Sequence, residues 1–283
     1  MTRGHTQKLT PAQPLAASLV FLELVLLWSP AAAQSLNLAS GAKDQPIEIL
    51  ADNGIEWQQE NEILIASGNA RASRDGVNVE AEVLRAYYKK KPGGGADLYR
   101  LDAVGGVKIY SGTDSITGRT AVYDFEQAIL RVDGKKVVYK TGKDSITATQ
   151  QMEYWERQQM AVARGNAVAV HEGKTVRADI LKALFRKKKY GQSEVYVVEA
   201  FDNVLIVSEQ DRVRADRGIY KVDSGIATLT GNITITREDS VLTGDQAEVN
   251  LNTGVSKLLT TNTVQSGAKK KKRIRGFIYP QKQ

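Results

Sequence analysis

A turn followed by apolar alternation returns so regularly along this chain that it dictates the kind of body the chain can build. It reads Gly68-Asn69-Ala70-Arg71-Ala72, Gly105-Gly106-Val107-Lys108-Ile109, Gly165-Asn166-Ala167-Val168-Ala169, Asp202-Asn203-Val204-Leu205-Ile206 and Gly231-Asn232-Ile233-Thr234-Ile235. A looser copy is Gly134-Lys135-Lys136-Val137-Val138. Eleven residues after the start of each good copy a second half-motif begins: Val79-Glu80-Ala81-Glu82, Ile116-Thr117-Gly118-Arg119, Val176-Arg177-Ala178-Asp179, Val213-Arg214-Ala215-Asp216 and Leu242-Thr243-Gly244-Asp245. Ile49-Leu50-Ala51-Asp52 and Ile146-Thr147-Ala148-Thr149 add two more. The spacings between these second halves, 30, 37, 30, 30, 37 and 29 residues, begin again after 97 residues. At that offset Ile49 falls on Ile146, Val79 on Val176 and Ile109 on Ile206, which leads us to expect a large tandem duplication.

A period of two marks each half-motif as a strand with one apolar face. Asp75-Gly76, Asp133-Gly134, Glu172-Gly173 and Ser224-Gly225 supply turns between them. No helical apolar stripe runs over several turns. The expected fold is therefore all-β, a stacked, repeat-built body of about 14–16 short strands. In the second half-motif, positions one and three share a face, and position three is always Ala or Gly. Two sheets packed tightly together would require that small residue. So would a narrow lumen left open for alkyl chains, and the sequence leaves both open.

Composition removes several chemistries. The 283 residues include no cysteine, so disulfides, thiolate nucleophiles and zinc–thiolate sites are excluded. Of the two histidines, His5 lies near the start and His171 beside the Glu172-Gly173 turn, too few for a multi-histidine metal site. Neither a GxSxG motif nor a convergent carboxylate pair stands out, so no catalytic residue, metal ligand or cofactor is expected.

The first residues have the layout of an export signal: Arg3 and Lys8, an apolar run from Leu15 to Trp28, then Ala31-Ala32-Ala33. Cleavage after Ala33 is expected, giving a signal peptide at 1–33, a flexible mature N-terminus at 34–45, a β body at 46–255 and a basic tail at 256–283. The apolar run holds Glu23 and falls short of the roughly 20 residues needed to span a bilayer. The mature chain is thus expected to have no transmembrane span. The export signal argues against nucleic acid as a ligand despite a net charge of +7.

Pro46-Ile47-Glu48-Ile49-Leu50-Ala51-Asp52, Ser67-Gly68-Asn69-Ala70 and the recurring Val/Ile-x-Ala-Asp/Glu strands resemble the OstA-like domain of the lipopolysaccharide transport proteins, the LptA family, over residues 46–250. The resemblance implies an open-ended, twisted β-jellyroll in the periplasm. It implies lipopolysaccharide as ligand, with lipid A acyl chains inside. It also implies docking between LptC-like inner-membrane and LptD-like outer-membrane partners, with head-to-tail homo-oligomers as a further expectation. On parity, the lumen candidates are Ala70, Ala72, Val79, Ala81, Val107, Ile109, Ile116, Ile146, Ala167, Val176, Val204, Ile206, Val213, Ile233, Ile235 and Leu242. Lys89, Lys90, Lys91, Lys187, Lys188 and Lys189 are the candidates for anionic headgroups. Uncapped edges are expected near Ile47–Asp52 and Leu242–Leu251, each a template for strand addition. The rival readings are an exported β-helix glycan lyase or hydrolase and a purely structural surface repeat.

Overall fold

The computed structural model describes residues 46–142, 144–171, 173–187, 193–208, 211–237, 240–250, 255–259, 264–265, 268–269 and 275–277. The expected signal peptide and flexible mature N-terminus, Lys188, Lys189 and most of the expected basic tail lie outside them. The first copy of the duplication holds β1 (Glu48–Leu50), β2 (Ile55–Gln58), β3 (Ile63–Arg74), β4 (Val77–Lys90), β5 (Ala96–Ser111), β6 (Asp114–Asp124), β7 (Ile129–Asp133) and β8 (Val137–Lys140). The second holds β9 (Asp144–Ala148), β10 (Gln151–Trp155), β11 (Met160–His171), β12 (Lys174–Lys187), β13 (Ser193–Val207), β14 (Asp211–Lys221), β15 (Ile226–Arg237) and β16 (Ser240–Asn250). β17 (Val255–Leu259), β18 (Val264–Gln265), β19 (Ala268–Lys269) and β20 (Arg275–Phe277) follow.

The protein is all-β, and the pairings among the described residues are antiparallel. β3 to β6 and β11 to β16 run 11–16 residues, longer than the half-motifs. The first half-motif ends one strand, a tight turn follows, and the second half-motif opens the next strand. Each long strand then continues past a corner into a second layer.

The corner explains the motif. Between Ser67 and Ala70, β3 places Gly68 and Asn69 opposite the single residue Glu82 of β4, a β-bulge. The same two-against-one step sets Gly165-Asn166 against Asp179, Asp202-Asn203 against Asp216, and Gly231-Asn232 against Asp245. Both bulge residues have positive φ: 80° and 42° at Gly68 and Asn69, 77° and 46° at Gly231 and Asn232. Asn tolerates that region better than most side chains. It also reaches the polar fourth residue of the preceding rung. Asn69 Nδ2 donates to Asp52 Oδ2, Asn203 to Asp179 Oδ2 and Asn232 to Asp216 Oδ2, each at 2.8 Å. The recurrent acid therefore secures the bend as well as meeting water, a role that alternation alone did not suggest.

Glycine comes first in the bulge because the chain beneath is close. A Cβ on Gly105, at φ +87°, would lie 2.6 Å from Glu82 Cβ. Gly105→Ala is expected to destabilise by about 1–3 kcal/mol. Gly76→Ala, with open space around its Cβ, should cost only the backbone penalty. Urea unfolding of the two variants checks the difference.

The bulge shifts parity. In β4 the buried positions are Val77, Val79 and Ala81 before Glu82, then Leu84, Ala86 and Tyr88 after it. Val77, Val79 and Ala81 on one side of the bulge and Leu84 and Ala86 on the other enter one hydrophobic core. One ladder, on the turn side, runs β1-β3-β4-β5-β6-β8-β9-β11-β12-β13-β14-β15-β16-β20. The other runs β2-β3-β4-β5-β6-β7-β10-β11-β12-β13-β14-β15-β16-β17. The long strands belong to both, so two layers fold about one interior as a β-jellyroll.

Among the described residues, β1 and β2 pair only with β3, which leaves the expected N-terminal edge. The second expected edge is covered: β17 pairs with Gln246–Asn250 and β20 with Val241–Thr243. Tail residues thus continue the sheet, and Phe277 lies in register with Val241.

Candidate functional site

Residues of one parity from successive rungs meet in the interior. Along the turn-side layer Ala72, Val79, Ile109 and Ile116 stand in register, as do Ala169, Val176, Ile206 and Val213 in the second copy. Ala70, Ala72, Val79, Ala81, Val107, Ile109, Ile116, Ala167, Val204, Val213, Ile233 and Ile235 are buried. Ile146, Val176, Ile206 and Leu242 are half-buried and pack against the same core. The structure thus brings together all sixteen residues selected by parity.

The two copies differ in how closed this interior is. Val79 and Ile109 are each 1 % exposed, whereas Val176 and Ile206 are half-buried at the same places. Across the bulge the second copy redistributes side-chain volume. Val198 stands where the first copy has Leu101, while Gly218, where it has Ala121, faces Leu229, which replaces Val132. Lys174 replaces the buried Val77 at the turn.

Parity of the half-motifs missed the second layer, because each bulge resets the alternation. Leu84, Leu101, Tyr123, Val132, Leu229 and Ala247 belong to the same core. The signal for them was the aromatic that follows most second half-motifs. Tyr123 is 3 % exposed and packs edge-on to Phe125 with ring centres 4.6 Å apart. Trp57 marks the open edge: it is 62 % exposed while its Nε1 donates to Tyr88 Oη at 2.6 Å.

A carboxylate is enclosed at the rim. Asp114 is 2 % exposed and accepts hydrogen bonds from Tyr139 Oη at 3.1 Å and Thr113 Oγ1 at 3.3 Å. Burial first, and the Asp114 carboxylate second, push the Tyr139 phenol far above its ordinary value. His171 is paired through Nδ1 with Asp144 Oδ1. No group of three His, Asp or Glu among the described residues has the arrangement of a metal site.

The lysine loops are partly neutralised. Lys89 Nζ lies 2.7 Å from Glu126 and Lys91 Nζ 2.6 Å from Asp97. The second copy repeats the pattern, with Arg186 held by Glu194 at 2.8 Å and Asp223 at 2.6 Å. Lys90 and Lys187 are exposed. Such surface pairs contribute little stability, but they reduce the net charge these loops offer to an anion.

The fold is a two-layer β-jellyroll with a continuous apolar interior among its described residues. The chain belongs to the LptA/(LptD N-terminal domain) LPS transport protein family, whose model matches residues 48–160 and again 146–255. The double match agrees with the 97-residue duplication. An uncharacterized protein of Rhizobium meliloti (strain 1021) is 28 % identical over 151 residues, covering 51 % of this chain and 79 % of the relative. Among solved structures, LptH, the LptA homologous periplasmic component of the conserved lipopolysaccharide transport device from Pseudomonas aeruginosa, is similar with 15 % identity and a TM-score of 0.39. That match covers 48 % of this chain and 95 % of LptH.

Proposed function

We propose that this protein works in the periplasm as a lipopolysaccharide carrier, sheltering acyl chains in the jellyroll and helping to bridge the inner and outer membranes. The observation that carries this reading is the row Val176, Ile206 and Leu242, apolar side chains that face the interior yet remain half-buried. Exposing acyl chain to water costs about 0.8 kcal/mol per methylene. A lipid with several chains crosses an aqueous gap only if something covers them, and an apolar trough does so without a catalytic group. The exposed Leu50, Ile55 and Trp57 on β1 and β2 suit strand addition by an LptC-like or LptD-like partner or by another copy. Family membership in a transport group favours this over a β-helix lyase or hydrolase.

The test is photo-crosslinking of the mature protein to lipopolysaccharide, with the probe at Ile206 on the inner face or at Leu205 on the outer one. Adducts from position 206 alone are expected. Equal labelling from both positions, or none from a folded protein, would replace the carrier reading with a filled structural core.

A further inference from the structure

The outer face of the second copy carries a basic groove. Arg212 and Arg214 project from the same side of β14, opposite Thr236 and Thr234 of β15 in register. These four residues line a cavity of about 380 Å³ that opens to solvent. Both arginines are exposed, and so is Arg177, which lies in the same cross-strand row as Leu205 and Arg214. Asp216, the next acid along β14, is engaged at the corner by Asn232. The groove backs onto the interior, since Val213 and Ile235 between these residues point inward and are 2 % and 5 % exposed.

The duplication provides an internal comparison. At the offset of 97 residues, Arg177, Arg212 and Arg214 correspond to Glu80, Ser115 and Thr117. In the first copy that row is satisfied locally: Tyr110 Oη donates to Glu80 at 2.8 Å. The second copy keeps the strands and their register but changes an acid and two hydroxyl residues to three guanidinium groups. Same-face residues two apart on a strand lie about 7 Å from each other. Two guanidiniums at that distance repel, and no fold requirement common to both copies explains them.

We propose that this groove is a binding site for phosphomonoester or diphosphate groups. Arg212 and Arg214 supply paired N–H donors, Thr234 and Thr236 supply hydroxyls, and Arg177 adds charge from the neighbouring row. Planar guanidinium forks match phosphate oxygens, and charge-assisted hydrogen bonds of this kind are about twice as strong as neutral ones. The phosphate could come from a soluble phosphorylated compound or from a lipid headgroup; the site's chemistry is the same for both. It lies on the opposite face from the acyl-chain interior and does not depend on the carrier reading.

The experiment uses the full mature chain, the variant Arg212→Gln/Arg214→Gln, and a charge-matched control, Lys135→Gln/Lys136→Gln, at an exposed turn of the first copy. Pyrophosphate is titrated while the arginine side-chain Nε resonances are followed by NMR. Separately, the proteins are floated with phosphatidylcholine vesicles with and without phosphatidic acid. Circular dichroism melting establishes that each variant is folded. Wild-type and control proteins should show saturable shifts at Arg212 and Arg214, and the arginine variant should bind about tenfold more weakly. Binding of pyrophosphate alone would identify soluble phosphates as the source, and arginine-dependent binding to phosphatidic acid vesicles alone would identify headgroups. Equal loss in the arginine variant and the lysine control, or no arginine-dependent binding of either probe, would overturn the site.

Discussion

Ile109→Ala should lower the free energy of unfolding by about 2–5 kcal/mol, while Ile206→Ala should cost only about 1 kcal/mol. The two isoleucines occupy equivalent places 97 residues apart, each inward on a long strand. Ile109 is 1 % exposed and surrounded, so truncation removes transfer energy and leaves a cavity. Ile206 is half-buried and stands beside Val213 where the first copy has Ile116, so fewer contacts are lost. The ordering should reverse for lipid capture, with Ile206→Ala the more damaging. Urea unfolding and lipopolysaccharide co-purification read the two effects. Similar stability losses would mean that the second copy is as tightly filled as the first.

Tyr139→Phe should cost about 1.5–3 kcal/mol, because it removes a hydrogen-bond donor from a carboxylate that is 2 % exposed. Thr113 supplies a second donor at 3.3 Å, longer than the phenol at 3.1 Å. The same pair predicts a dependence on alkali. Burial and Asp114 hold the folded phenol protonated beyond its ordinary value. An unfolded tyrosine loses its proton near pH 10, so the unfolded state binds fewer protons above that point. Stability from this group is therefore complete below about pH 10 and declines as pH rises toward the folded value. Chemical denaturation between pH 8 and 11 should show this fall in the wild type and a flatter profile in Tyr139→Phe. Matching profiles would mean that Tyr139 does not titrate differently in the two states.

Much of this architecture is legible before any coordinates. Period-two alternation in Val79-Glu80-Ala81-Glu82 and its relatives identifies strands and the inward side of one layer, because every strand obeys the same two-residue geometry. Fixed spacing reveals the duplication, since equal rungs need equal lengths of chain. The second layer was hidden by Glu82, Arg119, Asp179, Asp216 and Asp245, where one residue is skipped and parity flips. A local pattern cannot say that Leu84 and Val79 face the same core across a bend. The covering of β16 was hidden for a different reason. β20 is three residues long and pairs with residues more than thirty positions earlier, so no local alternation marks it. The arginine groove required both strands of a pair, because Arg212 meets Thr236 only once register is known. The pairing of Lys89 was not legible in the sequence because Glu126 lies far along the chain from it.

The two continuous ladders carry one more consequence. Fourteen strands at about 4.8 Å per step span roughly 60 Å. Halfway along, the first copy hands over to the second through β7 against β10 and β8 against β9. In separate chains, such a junction would form by association and come apart on dilution. Here the short segment from Lys140 to Asp144 tethers the two sides, so the effective concentration is set by geometry and not by the cell. The duplicated chain is thus a preassembled tandem whose central seam is insensitive to expression level, leaving only its ends subject to mass action.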